Sequence, residues 1–307
     1  MTTLVQSSVV EPPTTDHPAD SPAPRHPTLL AETLSRGMAT LAVVSLAFVG
    51  YLLVISPLQH DRTQSVLRDS FAEQLSAQTL PAGGLIDTGS PVARLRIPAL
   101  GLDEIVVEGT GGRQLDGGPG HRPTSPLPGQ PGTAVIMGRS VTFGAPFRQL
   151  TRLRPADEVT VTTVQGEHTY RVIGVRRAGA ALLPPLRADQ GRLTLVGMEG
   201  DGPVPGLRLG VDRTVYVDAE LIGAVQAAPP GRSRVQWPQE VPLAADRTGF
   251  VQLVLWLQLL AVAVAAFTWA RYRWGRRESW VVGMPLLLAL AVQVFHLTAV
   301  TLLPNLM

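Results

Sequence analysis

The sequence contains no cysteine, so a thiolate nucleophile is excluded and a hydroxyl group would have to take its place. The candidates are Ser140, Thr142 and Thr194, and a serine or threonine needs a neighbouring base before it can attack a carbonyl carbon. None of the three has a histidine close in sequence. His121 remains a possible partner, since folding could bring it close to Ser140. The sequence therefore gives no signature of a serine-type enzyme and leaves that one pairing open.

Metal and cofactor sites are not expected from the residue types present. The absence of cysteine excludes disulfides and thiolate zinc sites. The glycine pairs Gly111-Gly112 and Gly117-Gly118 predict turns and match no phosphate-binding loop. The histidines show no paired spacing typical of a metal site; they are His17, His26, His60, His121, His168 and His296. We therefore expect no metal ion and no cofactor.

The composition points to a membrane protein. The chain is 45% hydrophobic and only 16% charged, which is more apolar than a soluble enzyme of this size. Residues 37–59, 248–270 and 279–303 carry no formal charge, and about 20 apolar residues span a bilayer as a helix. No basic block with interleaved aromatic residues is present, so nucleic acid is not an expected partner.

The remaining segments are predicted from composition shifts. Residues 1–36 are interpreted as a disordered cytoplasmic tail, since their proline-rich first part cannot bury enough apolar surface to fold. In residues 60–90 the four-residue spacing of Leu67, Phe71 and Leu75 predicts a juxtamembrane helix that ends before a linker. Residues 91–223 form the main domain, 224–247 a linker, and 271–278 an arginine-rich loop between the last two spans.

The arginine-rich loop predicts the orientation of the chain. Short loops rich in arginine stay in the cytoplasm, and this loop holds Arg271, Arg273, Arg276 and Arg277. The N-terminal tail is then cytoplasmic, while residues 91–223 and the C-terminus lie outside the cell membrane. His296 falls inside the third span, where it is either a functional residue or a polar group at a helix–helix contact.

The main domain is predicted to be mainly β. Short β-rich runs alternate with glycine and proline turns, which is typical of an all-β barrel or sandwich. These predicted strands are residues 93–97, 105–108, 134–137, 158–163, 168–175, 192–196 and 214–221, with a further turn near residues 147–153.

An ordered series of motifs in this domain resembles the sortase family. The series begins with Arg94-Leu95-Arg96-Ile97-Pro98, continues through Gly118-Pro119-Gly120-His121 and Leu127-Pro128-Gly129, and reaches Gly138-Arg139-Ser140-Val141-Thr142-Phe143-Gly144-Ala145-Pro146-Phe147 and Leu193-Thr194-Leu195-Val196-Gly197-Met198. It covers about 130 residues, and with the three spans it is most similar to class E-like sortase-like membrane proteins of actinobacteria. The resemblance implies an eight-stranded β-barrel displayed outside the membrane.

The resemblance also implies a reaction that this chain lacks the residues to perform. Sortases cut a sorting signal near Leu-Pro-any-Thr-Gly with a cysteine, a histidine and an arginine, and join the new end to an amine. Arg139 stands at the histidine position and Met198 at the cysteine position. The arginine position holds Arg213, with Arg208 as a rival. A thioether cannot form an acyl-thioester, and a guanidinium stays charged at neutral pH and therefore cannot accept a proton. His121 resembles a different, non-catalytic histidine of the family.

The resulting hypothesis is a sortase homologue that has lost its chemistry. We expect Met198 to fill the space of the thiol, and Arg139 to pair with Glu199 or Asp201 or to bind a carboxylate or wall phosphate. Its partners would be surface proteins with sorting signals, peptidoglycan fragments or an active sortase. Two alternatives stay open: a transpeptidase or hydrolase with a rebuilt site that uses no cysteine, and a membrane scaffold that acts through its C-terminal helices.

Overall fold

The structure is a computed structural model, and it describes residues 29–181, 183–199, 213–232, 235, 238, 241, 244, 247–273 and 276–307. Residues 1–28 of the predicted tail (1–36), Asp201 and the rival arginine Arg208 lie outside the described residues. Residues 46–307 form one compact unit, and the part of the chain before Leu46 belongs to a separate unit.

Three helices are long and apolar enough to cross a membrane. The first run consists of α1 (Leu29–Gly50), a five-residue π-helical turn (Tyr51–Ile55) and α2 (Ser56–Ser76). The predicted first span and the predicted juxtamembrane helix are therefore one continuous helical run. It begins inside the segment that the sequence predicted to be a disordered tail.

The other two candidate spans form a helical hairpin. Helix α4 covers Phe250–Arg273 and α5 covers Arg276–Leu302, so both helices extend into the segment predicted as an arginine-rich loop. Leu253 of α4 packs on Val294 and Leu297 of α5. Most of their other apolar side chains face outward, as expected of helices whose surroundings are lipid.

The β domain is a closed barrel, as the sequence resemblance implied. Its strand order is β1-β2-β3-β4-β7-β8-β6-β5, and β5 pairs with β1 to close it. The strands are β1 (Pro91–Ile97), β2 (Leu102–Glu108), β3 (Gly120–His121), β4 (Gly132–Met137), β5 (Glu158–Thr163), β6 (Gly166–Arg177), β7 (Gly191–Glu199) and β8 (Arg213–Leu221). The two-residue strand β3 and the short helix α3 (Gly112–Gly117) were not predicted, and α3 stands where the glycine pairs suggested only turns.

Apolar side chains at alternate positions along the strands fill the interior of the barrel. In β5, Val159 and Val161 are fully buried, while Thr160 and Thr162, which alternate with them, are only partly buried. Leu95, Leu193 and Leu195 contribute to the same interior core. The closed barrel leaves no open sheet edge, and this explains how such short strands form a stable domain.

Strands β4 and β7 position the candidate site. They are parallel neighbours, paired from Gly132 opposite Gly191 to Met137 opposite Val196. Since parallel strands end at the same edge of a sheet, the chain leaves both at one end of the barrel. The predicted site segments begin there.

Helix α2 packs against the barrel near this end. Leu67, Phe71 and Leu75, the predicted apolar stripe, form a cluster with Leu80 and Ile105. The side chain of Gln64 is buried beneath the helix and bonds the backbone of Ile105 and Gly117. The barrel is thereby fixed to the continuation of the first membrane helix.

Candidate functional site

The structure brings the predicted site residues to one end of three adjacent strands. The backbone N–H of Gly138 donates to the carbonyl of Val196 at 3.1 Å, which carries the β4–β7 pairing into the following loop. The backbone N–H of Met198 donates to the hydroxyl of Ser140 at 2.8 Å. Arg213 is exposed at the start of β8, opposite Glu199 of β7. Arg139 and Met198 are therefore neighbours across two strand ends.

Arg139 is fully buried. Its guanidinium donates to the carbonyl of Gly112 at 2.9 Å and to the hydroxyl of Thr142 at 3.3 Å, and it lies 4.7 Å from the centre of the Phe143 ring. Burial lowers the pKa of Arg139 to about 10, and the negative charge of Asp116 opposes that shift. Arg139 is still a cation at neutral pH and is unsuited to proton transfer.

Glu199, one of the predicted partners of Arg139, pairs with a different arginine in the structure. Glu199 forms its ion pair with Arg177, with nitrogen–oxygen distances of 2.6 Å and 3.0 Å. Within the described residues, no ion pair of Arg139 itself is found. The loop directs the guanidinium toward α3 and away from the outer end of β7, so a carbonyl, a hydroxyl and an aromatic face solvate the charge.

Met198 lies in an apolar cluster on the outer face of β4 and β7. Its side chain is 6% exposed and packs with Leu115, Met137, Val196 and Leu306. A thioether in such a cluster contributes by dispersion and apolar burial. This position therefore holds neither an ionisable group nor an open surface.

The loop around Arg139 is conformationally strained. Phe143, Gly144 and Ala145 have positive φ angles of 50°, 72° and 47°, and such values are rare for residues with a side chain. The hydroxyl of Ser56 accepts a hydrogen bond from the N–H of Phe143 at 3.2 Å. A Cβ atom at Gly144 would lie 2.4 Å from the His60 ring, so glycine is required where α2 crosses the loop. Helix α2 thus holds the loop in place.

A segment following α5 covers the loop from the other side. The backbone N–H of Ser140 donates to the carbonyl of Leu306 at 2.9 Å. The backbone N–H groups of Val141 and Thr142 both donate to the main-chain oxygen of Met307, at 3.2 Å and 2.9 Å. The Thr142 hydroxyl donates to the same oxygen at 2.8 Å. Sequence reasoning missed this contact, and no local pattern in residues 303–307 signals it.

His121 belongs to a buried serine–histidine–glutamate cluster that sequence reasoning also missed. Its Nδ1 lies 2.7 Å from Glu108 Oε2, and its Nε2 lies 3.1 Å from the Ser125 hydroxyl. However, Nε2 also faces the carbonyl oxygen of Pro126 at 2.9 Å, so this nitrogen must donate there and cannot accept the serine proton. The Ser125 hydroxyl accepts from the N–H of Val135 and donates to the carbonyl of Arg122.

The geometry assigns this cluster a structural role. His121 and Ser125 join β3, β4 and the loop between them, and both are buried. The open pairing of His121 with Ser140 is not found, because the Ser140 hydroxyl accepts from Met198 instead. The Thr142 hydroxyl donates to Met307 and the Thr194 hydroxyl to Asp218, so none of the three hydroxyls predicted as candidates has a histidine nitrogen among its hydrogen-bond partners in the described residues.

A second polar group joins the barrel to the membrane helices. Nε2 of His296 lies 3.5 Å from a carboxylate oxygen of Asp116, and its Nδ1 lies 3.1 Å from the Tyr51 hydroxyl. Burial raises the pKa of Asp116 to about 6, and the charges of Arg139 and His60 act against that rise. His296 is thus a polar group at a contact between helices, one of the two predicted alternatives, and its partner charge comes from α3.

Comparison with known proteins identifies the barrel. Residues 95–197 match the model of the sortase domain family. Sortase D of Bacillus subtilis (strain 168) is 31% identical over 87 residues, which are 28% of this chain and 42% of that protein. The matched stretch thus spans less than half of that relative.

Two solved structures show similar barrels. A Clostridium perfringens sortase D5 transpeptidase matches at 20% identity and a TM-score of 0.42, over 53% of this chain and 98% of that one. Sortase E from Streptomyces avermitilis matches at 28% identity and a TM-score of 0.36, over 45% of this chain and 92% of that one.

Proposed function

We propose that this protein, which belongs to the sortase family by its domain at residues 95–197, is a membrane-anchored binding protein without sortase chemistry. Its ligand would be a surface protein with a sorting signal, a cell-wall fragment or an active sortase. The fold and the three candidate membrane helices support a place at the cell surface.

The observation that carries the proposal is the burial of a permanent cation at the position that the family resemblance gives to the histidine. Arg139 is fully enclosed and bonded to Gly112 and Thr142. It can stabilise negative charge, but it cannot take a proton from a nucleophile and return it to a leaving amine. Met198 offers no thiolate to attack a carbonyl carbon.

A rebuilt hydroxyl-based site is less well supported. Ser140 accepts a hydrogen bond from Met198, and Thr142 donates to Met307, so both hydroxyls serve the local structure. Ser125 has the right neighbours by residue type, but the Pro126 carbonyl claims the histidine nitrogen that a base would need.

The proposed orientation follows the arginines of the C-terminal hairpin. Arg271 and Arg273 lie in the last turn of α4, and Arg277 lies in the first turn of α5, which supports a cytoplasmic position for these two helix ends. The barrel and residues 303–307 then lie outside the membrane. The surface ligands named above would be accessible to the barrel on that side.

The proposal is tested with the full chain in lipid nanodiscs, a peptide that contains Leu-Pro-Glu-Thr-Gly and an amine acceptor. We expect binding of a peptide or wall fragment and no transferred product. The double variant Arg139→His with Met198→Cys restores the residue types of the reaction, and a trace of transfer by this variant is the expected result. Transfer by the unaltered chain would contradict the proposal.

Single variants are the matched controls for the double variant. Met198→Cys alone supplies a thiol without a proton shuttle, and Arg139→His alone supplies a shuttle without a thiol. Both should remain inactive, because the two groups act as a unit. Loss of peptide and wall-fragment binding in every form would show that no binding function remains in the barrel.

A further inference from the structure

The 303–307 segment occupies a surface next to Arg139 and Met198 in the manner of a bound peptide. Four hydrogen bonds run from residues 140–142 to main-chain oxygens of Leu306 and Met307. The segment itself forms a turn, since the backbone N–H of Met307 donates to the carbonyl of Pro304 at 2.9 Å. Bonds to main-chain oxygens depend little on which side chains the peptide carries. The 303–307 segment supplies the accepting oxygen in each of these four bonds.

Three of these donors converge on a single oxygen. The N–H groups of Val141 and Thr142 and the hydroxyl of Thr142 all point at the main-chain oxygen of Met307. Arg139 lies directly behind and donates to the Thr142 hydroxyl. Such a donor cluster is suited to a carbonyl or carboxylate oxygen, since successive N–H groups form a concave site for negative charge.

Beside the donors is a closed apolar pocket. The Leu306 side chain is fully buried among Leu115, Met137, Val196 and Met198. Complete burial of a leucine contributes about 2 kcal/mol. The pocket therefore selects a medium-sized apolar side chain one residue before the bound oxygen.

The position of the segment is set by the membrane hairpin. Helix α5 ends at Leu302, and its last turns contact Tyr51, Leu52 and Phe143. The backbone N–H of Asn305 donates to the carbonyl of Ala244 at 3.0 Å. Movement of α5 relative to the barrel would therefore withdraw the segment from the surface.

We propose that the surface formed by residues 137–143, Leu115, Val196 and Met198 is a peptide-binding groove that holds the 303–307 segment as its built-in ligand. Its external ligand is a peptide that adopts a similar turn and presents an apolar side chain followed by a main-chain oxygen. That peptide enters only when the 303–307 segment leaves. The inference deepens the proposed function, on which it rests for the retention of a binding groove.

The test uses the absence of native cysteine, so that one introduced thiol reports on one position. Met198→Cys places the reporter under Leu306, and Leu95→Cys places a reference in the barrel core. The maleimide labelling rate of each is measured in the full chain in nanodiscs. Leu306→Ala should raise the ratio of the Met198→Cys rate to the Leu95→Cys rate by about tenfold or more, because the population of a local opening grows exponentially as burial is lost.

The matched control is Leu302→Ala, four residues earlier. Leu302 is 54% exposed, so its truncation should leave the rate ratio unchanged. A synthetic peptide Leu-Pro-Asn-Leu-Met, added to the Leu306→Ala form, should lower the ratio again. Global unfolding would raise both rates together and leave the ratio flat.

An unchanged ratio in Leu306→Ala, or a ratio that the peptide fails to lower, would overturn the inference. The outcome is separate from the test of the proposed function. Transfer of a sorting-signal peptide by the unaltered chain would contradict the proposed function while the labelling ratio still reported on the segment.

Discussion

Arg139 is a fully buried cation whose guanidinium is bound by a group distant in sequence. Gly112 supplies the carbonyl that binds the guanidinium, 27 residues earlier in the chain. Glu199, the expected partner, pairs with Arg177 because those two residues lie at the ends of β7 and β6, on either side of β8. A sequence motif does not specify such partners.

Asp116 gives a prediction on pH dependence. Burial, the largest cause, raises its pKa from 3.8 to about 6. Below about pH 4 the carboxyl is protonated in both the folded and the unfolded state. As the pH rises, the unfolded chain releases that proton first, so the free energy of unfolding falls by up to about 3 kcal/mol by pH 7. Asp116→Asn should remove this part of the pH dependence.

The measurement is the thermal unfolding midpoint in detergent from about pH 4 to about pH 8. The difference in unfolding midpoint between the wild type and Asp116→Asn should change between pH 4 and pH 6 and then level off. Asp189→Asn is the control, since that side chain is 76% exposed. A difference curve without a step would show that Asp116 titrates normally.

At the scale of elements, the longer strands and helices were predictable from the sequence, whereas the short helix α3 was not. The period-two pattern of β5 and the four-residue spacing in α2 each reflect a face that must be buried, so both elements were predictable. Helix α3 begins and ends with glycine and is flanked by a glycine on each side, four in all, so its helix propensity is poor. It forms because Leu115 is buried in the cluster around Met198, a tertiary contact.

The contact between α2 and the barrel gives a second prediction. Gln64 is 1% exposed and makes three hydrogen bonds to the backbone of Ile105 and Gly117. Gln64→Ala leaves these buried backbone groups without partners, which should lower the free energy of unfolding by about 2–3 kcal/mol. Chemical or thermal unfolding of the full chain measures the change.

Ser65→Ala is the neighbouring control, because Ser65 is exposed on the same helix. Its unfolding midpoint should match that of the wild type. Equal stability of the Gln64→Ala and Ser65→Ala forms would mean that α2 is held to the barrel by its apolar stripe alone.

For the whole molecule, the uncharged stretches predicted three candidate membrane helices and the short strands predicted an all-β barrel or sandwich, while the family resemblance implied the barrel. Long uncharged stretches and glycine-punctuated strands are properties of single segments, and they can be read locally. The 303–307 segment over the barrel could not be predicted, since it requires α5 to end beside the loop at residues 138–147. Only the assembled fold brings these segments together.

The orientation of the chain gives the third prediction. Single cysteines at Leu85 and Tyr272, both strongly exposed, can be labelled in the otherwise cysteine-free chain. A membrane-impermeant maleimide applied to intact expressing cells should modify Leu85→Cys and leave Tyr272→Cys unmodified until the cells are opened. The reverse pattern would place the barrel in the cytoplasm.

The central claim is that the barrel has kept a sortase framework without its chemistry. The most direct measurement is the intact mass of the unaltered full chain, and of the peptide pool, after prolonged incubation with a sorting-signal peptide and an amine acceptor in nanodiscs. The account predicts an unchanged protein mass and no cleaved or transferred peptide, because neither Met198 nor Arg139 can support acyl transfer. A peptide adduct on the chain, or product formed without a companion enzyme, would contradict it.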